Sequence, residues 1–366
     1  CFIHVCLVPY ITGSNEYKSK PTQHSVNELQ GIGITPDVIV LRSDGPVGEE
    51  IKRKIARFCN VDADCVVSDI TLKCLYDTPV ALHKEGLDKA VARKLKLGGR
   101  IDLKEWRAFL KSVKSAKKTV DIALVGKYVT LHDAYLSVAE ALNAGGYACG
   151  ARVNIRWVDS ETVTAQTAPV IFAGVGGIII PGGFGNRATE GMIQSCRYAR
   201  ENDIPCLGIC LGMQMMAIEF ARDVCGLKGA TSGEFEPQSD CKIIDLMNNQ
   251  KNIENMGGTM RLGAYDCVLK PGSAVYAMYS RPQIAERHRH RYEFNNAYRE
   301  IFEQNGMSLC GQSPDGKLVE IMELPGKSFY VGCQFHPEFK SRPDEAHPLF
   351  AEFVKKSVQH SMETNK

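Results

Sequence analysis

The chain has 366 residues, enough for two domains that each bury a core of their own. Its 44 Lys and Arg residues nearly balance 42 Asp and Glu residues, so the net charge of +2 gives no reason to expect nucleic acid or a membrane surface as a partner. The fourteen cysteines are scattered without a C-x-x-C pair, which favours free thiols in a reducing, cytoplasmic compartment. Cys206 and Cys210 could suggest a metal pair, but no histidine is near them in sequence, and we expect no metal site.

Residues 1–98 alternate between predicted strands and helices. The apolar segment 1–10 lacks the basic region and cleavage site of a signal peptide, so it is predicted to form a buried strand. Because such a strand comes first and no initiator methionine precedes it, we expect the chain to start partway through a larger protein. The other elements predicted here are strands at 38–41 and 65–68 and a helix at 49–58 with Ile51, Ile55 and Phe58 on one face.

A linker is predicted at 99–118. Gly98 and Gly99 end the first unit, and Asp102 is placed to cap a short helix that runs through Leu110. Between residues 104 and 118 there are six Lys or Arg residues and one Glu. This stretch could be a polyanion patch, but a solvated connection between two domains is the interpretation we adopt.

A second α/β unit begins at Thr119, and no run in the chain reaches transmembrane length. Its strands and helices alternate, which predicts an α/β fold with a doubly wound, mostly parallel sheet and chemistry at the carboxyl ends of the strands. The polar, Asn-rich span 232–263 predicts a mobile loop of the kind that often forms a lid. The predicted elements are strands at 120–125, 153–158, 177–181, 204–209 and 329–335 and a helix at 133–142.

The segment G-I-C-L-G at 208–212 carries the strongest chemical signal. It follows a short buried strand and precedes a helix-forming run, which is the pattern of a nucleophile elbow. Glycines on both sides would let the backbone turn sharply and project Cys210 from the turn. The N-terminus of a helix stabilises a thiolate, so Cys210 is predicted to be a nucleophile for acyl transfer.

A cysteine nucleophile needs a base and an oxyanion hole. His336 directly follows a predicted strand, and Glu338 can fix its tautomer from two residues further on. The N–H of Leu211 and an N–H of Gly183, in the P-G-G-F-G loop at 181–185, would form the oxyanion hole. That loop could instead bind phosphate, but no Lys or Ser/Thr follows at the spacing of a phosphate loop.

Three motifs resemble those of class I, triad-type glutamine amidotransferases: P-G-G-F-G at 181–185, G-I-C-L-G-M-Q at 208–214 and F-H-P-E at 335–338. This resemblance implies a flavodoxin-like glutaminase domain. It also implies that Cys210 forms a glutamyl thioester and that His336, backed by Glu338, moves the proton.

Three further motifs resemble the CTP synthase family: K-P-T-Q-H-S-V at 20–26, G-G-T-M-R-L-G at 257–263 and R-H-R-H-R-Y-E at 287–293. That resemblance implies the tail of an α/β nucleotide-binding synthetase domain ahead of the glutaminase. Ammonia from glutamine would then aminate UTP, after its phosphorylation by ATP, to give CTP. The domains implied are 1–98 for the incomplete synthetase, 99–118 for the linker, 119–358 for the glutaminase and 359–366 for a tail.

The resemblance also implies binding residues. Glu234 would receive the α-ammonium of glutamine and Arg291 would clamp its α-carboxylate; without the family, Glu234 and the basic run 287–291 would be interpreted as solvated charges. The glutamine-binding positions implied are Gly183, Leu211, Gly212, Met213, Gln214, Glu234 and Arg291. The UTP- or CTP-binding positions implied are Lys18, Lys20, Pro21, Thr22, Gln23 and Lys54; Lys18 and Lys20 are expected on an extended segment, and Lys54 off the apolar face of its helix.

The sequence departs from the full family pattern in one respect. It contains no G-x-x-x-x-G-K-[ST] motif, and the acidic residues that bind magnesium in the family would precede residue 1. We therefore expect glutaminase activity alone from this chain, no cofactor bound to it, and Mg²⁺ and ATP in the full-length enzyme. The segment before Gly257 is shorter and less basic than usual, so GTP is only a candidate activator, and a homo-oligomer, a tetramer by resemblance, is expected.

Three alternatives stay open at this point. The glutaminase could serve another acceptor, as in amidotransferases acting on a guanine nucleotide or making carbamoyl phosphate, although the segment 20–26 argues against it. The chain could be a non-catalytic scaffold that keeps the fold, which an intact triad disfavours. A peptidase of the related cysteine-elbow group would cleave peptides and would not need Arg291.

Overall fold

The computed structural model describes residues 1–246 and 260–364. The chain divides into two compact units, Cys1–Lys114 and Ser115–Lys366. The division falls within the segment 99–118 that the sequence predicts to be a linker. Across the described part of the chain, no helix combines the length and apolar character needed to cross a membrane.

The first unit contains a small parallel sheet with the strand order β1-β4-β5, and β2 and β3 form a separate antiparallel pair. β4 is buried along almost its whole length, as expected for the central strand of a sheet with helices packed on it. The strands are β1 (Ile3–Leu7), β2 (Tyr10–Ile11), β3 (Glu16–Tyr17), β4 (Val38–Ser43) and β5 (Val66–Ile70). The helices are α1 (Lys20–Gly31), α2 (Glu49–Cys59), α3 (Thr78–Glu85), α4 (Leu87–Lys94) and α5 (Lys104–Ser115).

Three predictions for this unit are corrected by the structure. β1 is an edge strand and Val5 and Leu7 are exposed, so the prediction of a buried first strand is wrong. On α2, the buried face is formed by Ile55, Ala56 and Cys59. Phe58 is 66% exposed, because helical geometry turns it away from the face that those three residues define. Lys20 is the first residue of α1 and does not lie on an extended segment.

The helix predicted to end at Leu110 continues to Ser115. Asp102 accepts a hydrogen bond from the N–H of Lys104 at 2.8 Å, which satisfies a donor of the first turn of α5. Leu110 and Val113 of this helix are buried, whereas its lysines, Lys104, Lys111 and Lys114, are exposed. Much of the basic stretch is therefore the solvated face of an amphipathic helix.

The second unit is built on a nine-stranded sheet with the order β13-β12-β15-β16-β17-β9-β8-β6-β7. Its strands are β6 (Lys118–Gly126), β7 (Ala151–Asp159), β8 (Gly177–Ile180), β9 (Cys206–Ile209), β12 (Arg261–Leu269), β13 (Gln283–His290), β15 (Ser308–Gln312), β16 (Val319–Glu323) and β17 (Tyr330–Cys333). A smaller sheet contains β10 (Thr231–Ser232), β11 (Lys242–Leu246) and β14 (Tyr292–Phe294). The helices are α6 (Leu136–Ala148), α7 (Ala168–Ile171), α8 (Thr189–Glu201), α9 (Leu211–Asp223), α10 (Ala274–Tyr279), α11 (Arg299–Gln304) and α12 (Pro348–Thr364).

The central strands of the large sheet are covered on both faces. Along β8, Ile178 and Ile180 join the core formed with α8 and α9, while Ile179 joins the core formed with α6 and α12. This alternation is the period of two expected of a strand with both faces covered. The strands β17, β9, β8, β6 and β7 pair in parallel, so their carboxyl ends lie along one edge.

The sequence prediction missed the antiparallel half of this sheet and misplaced two other elements. Strands β12, β13, β15 and β16 each mix polar and apolar residues, without the continuous apolar run that marked the parallel strands. The loop predicted over 232–263 is wrong in part, because β11 and the start of β12 lie within it; residues 247–259 lie outside the described part of the chain. The helix predicted at 133–142 begins at Leu136, after a 3-10 turn at 132–135.

Candidate active site

Three loops that carry the predicted catalytic residues meet at the carboxyl edge of the sheet. Cys210 follows β9, the glycine loop follows β8, and His336 comes three residues after β17. β9 lies between the other two strands, with Cys333 of β17 opposite Ile209 and Ile180 of β8 opposite Gly208. Parallel pairing in this register brings the three strand ends together, as the sequence predicts.

Strain at the elbow is carried by the cysteine itself. Cys210 has φ 52° and ψ −103°, and its N–H donates to the carbonyl of Cys333 at 2.7 Å. The flanking glycines have a different role from the turning role expected of them. A Cβ on Gly212 would lie 2.0 Å from the carbonyl oxygen of Ile180, and one on Gly208 would lie 2.4 Å from the sulfur of Met216. The glycines are therefore required by the close packing of α9 on the sheet.

His336 is positioned by Glu338. Its Nδ1 donates to Oε1 of Glu338 at 2.7 Å, and both side chains are almost fully buried. Nε2 of His336 is buried and makes no hydrogen bond of ordinary length within the described part of the chain. Burial by itself lowers the pKa of His336, but the Cys210 thiol and the Glu338 carboxylate raise it to about 10 overall. An imidazole held in this way can keep a proton next to the sulfur at neutral pH.

The glycine loop lies directly against these two residues. A Cβ on Gly182 would come within 2.8 Å of Cε1 of His336, so any side chain there would displace the ring. A Cβ on Gly183 would lie 3.2 Å from Cδ2 of Leu211. Leu211 is the first residue of α9, so its N–H has no acceptor within the helix. These positions fit the oxyanion hole proposed from the sequence.

A cavity of about 180 Å³ next to the sulfur gathers residues from distant parts of the chain. Oε1 of Glu234 accepts a hydrogen bond from the N–H of Gly185 at 2.7 Å, which ties the cavity wall to the glycine loop. The cavity is lined by Gly183, Phe184, Cys210, Gln214, Glu234, Met260, His290, Arg291 and Tyr292. A second cavity, of about 320 Å³, shares Gly183, Phe184 and Cys210 with the first and is also lined by His336 and Arg289.

Lys127 is a site residue that sequence reasoning missed. It is 5% exposed, and its Nζ donates to the carbonyls of Phe184, at 3.2 Å, and of Gly185. Burial lowers the pKa of Lys127 to about 8, although Glu234 opposes that shift. Lys127 and Glu234 thus hold the glycine loop from two sides. The position of Lys127 directly after β6, at the edge of the sheet where the other site residues lie, is the feature of the sequence that could have identified it.

The run R-H-R-H-R-Y-E is not a solvated patch. On β13 its residues alternate between exposed and buried, so that His288 and His290 point into the protein and are each 2% exposed. Nδ1 of His288 lies 2.8 Å from Nε2 of His290. Burial is the main cause that lowers the pKa of His288 to about 2 and of His290 to about 3, so both rings are neutral.

Two buried carboxyl groups accompany these histidines. Arg261 forms an ion pair with Glu320 and lies 3.6 Å from Glu293. Burial raises the pKa of Glu293 well above its usual range and, more moderately, that of Glu320, since one guanidinium cannot neutralise both acids. The result is a dense polar cluster directly behind His290 and Arg291 in the cavity wall.

Three glutamine-binding positions from the sequence, Leu211, Gly212 and Met213, lie outside the cavity lining. Gly212 and Met213 are buried in α9, where the Met213 side chain packs against Gly332. Gly212 and Met213 therefore support the turn at Cys210 by packing against the sheet.

In the first unit, the implied nucleotide-binding residues differ in exposure. Lys54 is exposed, Lys18 is half-buried, and both lie close enough to Glu16 to lower its pKa, Lys18 by hydrogen bonding first of all. Lys20 and Pro21 are exposed in the first turn of α1. Gln23 donates to Oγ of Ser19 at 3.2 Å, and Thr22 is fully buried and donates to the carbonyl of Leu7 at 3.4 Å.

Comparison with known proteins agrees with this arrangement. The family model described as glutamine amidotransferase class-I matches residues 130–356, and the one described as CTP synthase N-terminus matches residues 1–97. A CTP synthase of Halalkalibacterium halodurans is 53% identical over 359 residues, which are 98% of this chain and 68% of that protein. The chain belongs to the CTP synthase family.

A second relative, a CTP synthase of Clostridium acetobutylicum, is 51% identical over 97% of this chain and 66% of its own length. The chain thus spans about two thirds of the CTP synthases it matches. Among solved structures, the glutaminase domain of Trypanosoma brucei CTPS with bound acivicin is similar, with a TM-score of 0.62 and 36% identity over 66% of this chain and 94% of that chain. The second unit accordingly has the doubly wound, flavodoxin-like fold of class I glutamine amidotransferases.

Proposed function

We propose that this chain is the glutaminase part of a CTP synthase, together with a portion of its synthetase domain. The single observation that supports this most strongly is the juxtaposition of Cys210, His336 and the 180 Å³ cavity at one strand edge. The cavity contains the side chains of an anionic residue, Glu234, and a cationic residue, Arg291. These are the two charges that would pair with the α-ammonium and the α-carboxylate of a free amino acid. A glutamine residue inside a peptide has neither a free α-ammonium nor a free α-carboxylate, so it could not form these two ion pairs.

The proposed reaction starts with attack of the Cys210 sulfur on the side-chain carbonyl carbon of glutamine. The N–H groups of Leu211 and Gly183 stabilise the oxyanion that forms. The C–N bond then breaks, His336 gives its proton to the departing nitrogen, and ammonia leaves a glutamyl thioester on Cys210. Water, deprotonated by His336, hydrolyses the thioester to glutamate and releases the Cys210 thiolate beside the protonated His336.

Gln214 contributes an acceptor to this site. Its Nε2 donates to the carbonyl of Tyr292 and to Oε1 of Gln334, both at 3.2 Å. An amide nitrogen has two hydrogens, and both are used. Gln214 can therefore offer only its Oε1 to a ligand, which suits a donor such as the α-ammonium or the amide NH₂ of glutamine.

In the whole protein, the ammonia would aminate UTP that ATP has phosphorylated. ATP and Mg²⁺ are assigned to the part of the relatives that this chain does not span, and GTP stays a candidate activator. Lys18, Lys20, Pro21, Gln23 and Lys54 are the residues proposed to face UTP or CTP, whereas buried Thr22 would support them. The match of residues 1–97 to the CTP synthase N-terminus favours UTP over another acceptor.

The test is glutamine hydrolysis by the purified chain, measured as release of glutamate and ammonia. The Cys210→Ala variant should abolish hydrolysis, and Cys149→Ala, which removes a half-buried thiol elsewhere in the same unit, should leave it unchanged. Hydrolysis that persists in Cys210→Ala would overturn the proposal. With a full-length relative, CTP formation from UTP and glutamine identifies the acceptor.

A further inference from the structure

One buried amide touches the nucleophile directly. Gln334 is 0% exposed and lies between the end of β17 and His336. Its Nε2 lies 3.6 Å from Sγ of Cys210, within the range of an N–H···S contact because sulfur is larger than oxygen. The backbone N–H of Gln334 donates to the carbonyl of Glu320 at 2.8 Å and fixes the residue in place.

The direction of this amide follows from its neighbours. A backbone carbonyl can only accept, so the contact with Tyr292 identifies the nitrogen of the Gln214 amide. That nitrogen also contacts Gln334, which must present its oxygen in return. The remaining end of the Gln334 amide, its NH₂ group, therefore points at the sulfur of Cys210.

From this geometry we propose that Gln334 is a catalytic residue that stabilises the thiolate form of Cys210 by donating a hydrogen bond to it. The inference rests on the proposed function, because it assigns Gln334 a part in the same acyl transfer. No bond to Gln334 forms or breaks: its N–H donates to the sulfur while the sulfur is anionic. A donor to a buried anion contributes more than a donor to a neutral group, and here it also fixes the direction of attack.

The arrangement links binding to catalysis. Gln214, which lines the glutamine cavity, holds the oxygen of Gln334, and Gln334 holds the sulfur. A ligand that shifts the Gln214 side chain would therefore shift the donor at Cys210. Removal of the Gln214 amide should weaken the sulfur contact without touching the sulfur.

The experiment measures the reactivity of Cys210 itself. The chain is alkylated with iodoacetamide from pH 5 to 10, and the rate is followed by mass spectrometry on the peptide that contains Cys210. Alkylation reports the thiolate fraction. The variants leave unchanged the charged or titratable side chains around this sulfur, which are His336, Glu338, Arg289, Arg291, His290, Glu234, Asp133, Tyr128, Tyr135, Tyr292 and Cys333.

In Gln334→Met, a variant of similar size without the donor, we expect the midpoint of the pH profile to rise by about one pH unit, so that alkylation at any pH well below both midpoints falls about tenfold. Gln214→Met should shift the midpoint in the same direction by less. Gln312→Met is the matched control, because Gln312 donates to Leu309 at 3.4 Å elsewhere in the sheet; its profile should match the parent chain. If circular dichroism shows that Gln334→Met does not fold, the uncharged variant Gln334→Leu, which also lacks the donor, must show the upward shift.

An unchanged midpoint in the folded Gln334 variant would overturn the inference, as would an equal loss in Gln312→Met. A parent chain in which Cys210 resists alkylation at every pH would instead contradict the proposed function. The two failures are therefore distinguishable.

Discussion

Nδ1 of His336 donates to Oε1 of Glu338 at 2.7 Å, and this bond decides which nitrogen faces Cys210. With Nδ1 protonated and held by the carboxylate, Nε2 is the atom left to exchange a proton with the sulfur or with the departing ammonia. The carboxylate of Glu338 thus orients the imidazole, and the imidazole in turn faces the nucleophile.

Replacement of Glu338 by Gln should lower the rate of glutamine hydrolysis by about 10²- to 10⁴-fold, because an amide can hold the wrong tautomer of His336. KM should change much less than kcat. Glu345→Gln, at an exposed position, is the control and should leave both unchanged. Similar rates of glutamine hydrolysis for Glu338→Gln and the parent chain would contradict the role of Glu338 in orienting His336.

The pH dependence of stability should report the same pair. The folded-state pKa of His336, about 10, is above the ordinary value of 6.5, so the folded chain holds a proton that the unfolded chain releases. This stabilisation is fully present below pH 6.5 and is lost as the pH rises through about 10. The gap in unfolding free energy between the parent chain and Glu338→Gln should therefore narrow from pH 6 to pH 10 in denaturant titrations. A gap that widens would contradict this assignment.

Gly212→Ala should destabilise the second unit by about 3 kcal/mol or more and suppress activity, because the new Cβ would lie 2.0 Å from the backbone oxygen of Ile180. Neither atom can move without separating α9 from β8. Gly229→Ala is the matched control, since nothing lies within 4 Å of its added Cβ and its φ is not positive. Thermal unfolding compares them, and equal melting temperatures would show that the elbow tolerates a side chain.

The buried ion pair between Arg200 of α8 and Glu219 of α9 should contribute to the free energy of unfolding. Arg200 donates to Glu219 through Nε at 2.9 Å and Nη2 at 2.7 Å, and Glu219 is 0% exposed. Arg200→Met removes the cation that pairs with that carboxylate, to which the Tyr330 hydroxyl also donates, and should cost about 3–5 kcal/mol. Arg197→Met, which breaks a surface pair with Glu201, should cost about 1 kcal/mol or less.

Addition of Glu219→Gln to Arg200→Met should restore part of the loss, because it removes the uncompensated charge. Chemical denaturation measures all three variants. Equal costs for the two arginine variants would mean that Glu219 gains little from Arg200.

How much the sequence predicts depends on the kind of strand. The parallel strands β8 and β9 are short apolar runs followed by a glycine loop or by the nucleophile, so both their position and the chemistry at their ends could be predicted. β13 alternates buried histidines with exposed arginines, and in sequence this pattern is the same as that of a charged surface segment. Only the pairing with β12 shows that one side of the strand is buried.

The residues proposed to react could be predicted from the sequence for a similar reason, but the residues that hold them in place could not. Cys210, His336 and Glu338 lie in local motifs with a chemical meaning. Lys127 and Gln334 act through contacts with residues 57 to 124 positions away in sequence, and no local spacing encodes those distances. The role of the elbow glycines depends likewise on how closely α9 packs on β8.

Covalent labelling of the chain by a diazoketone analogue of glutamine, with the modified residue located by peptide mass spectrometry, tests directly whether Cys210 is the nucleophile. We expect one adduct, on Cys210, that excess glutamine suppresses and that Cys210→Ala abolishes. An adduct on another of the fourteen cysteines, or labelling of Cys210 that glutamine does not slow, would contradict this expectation.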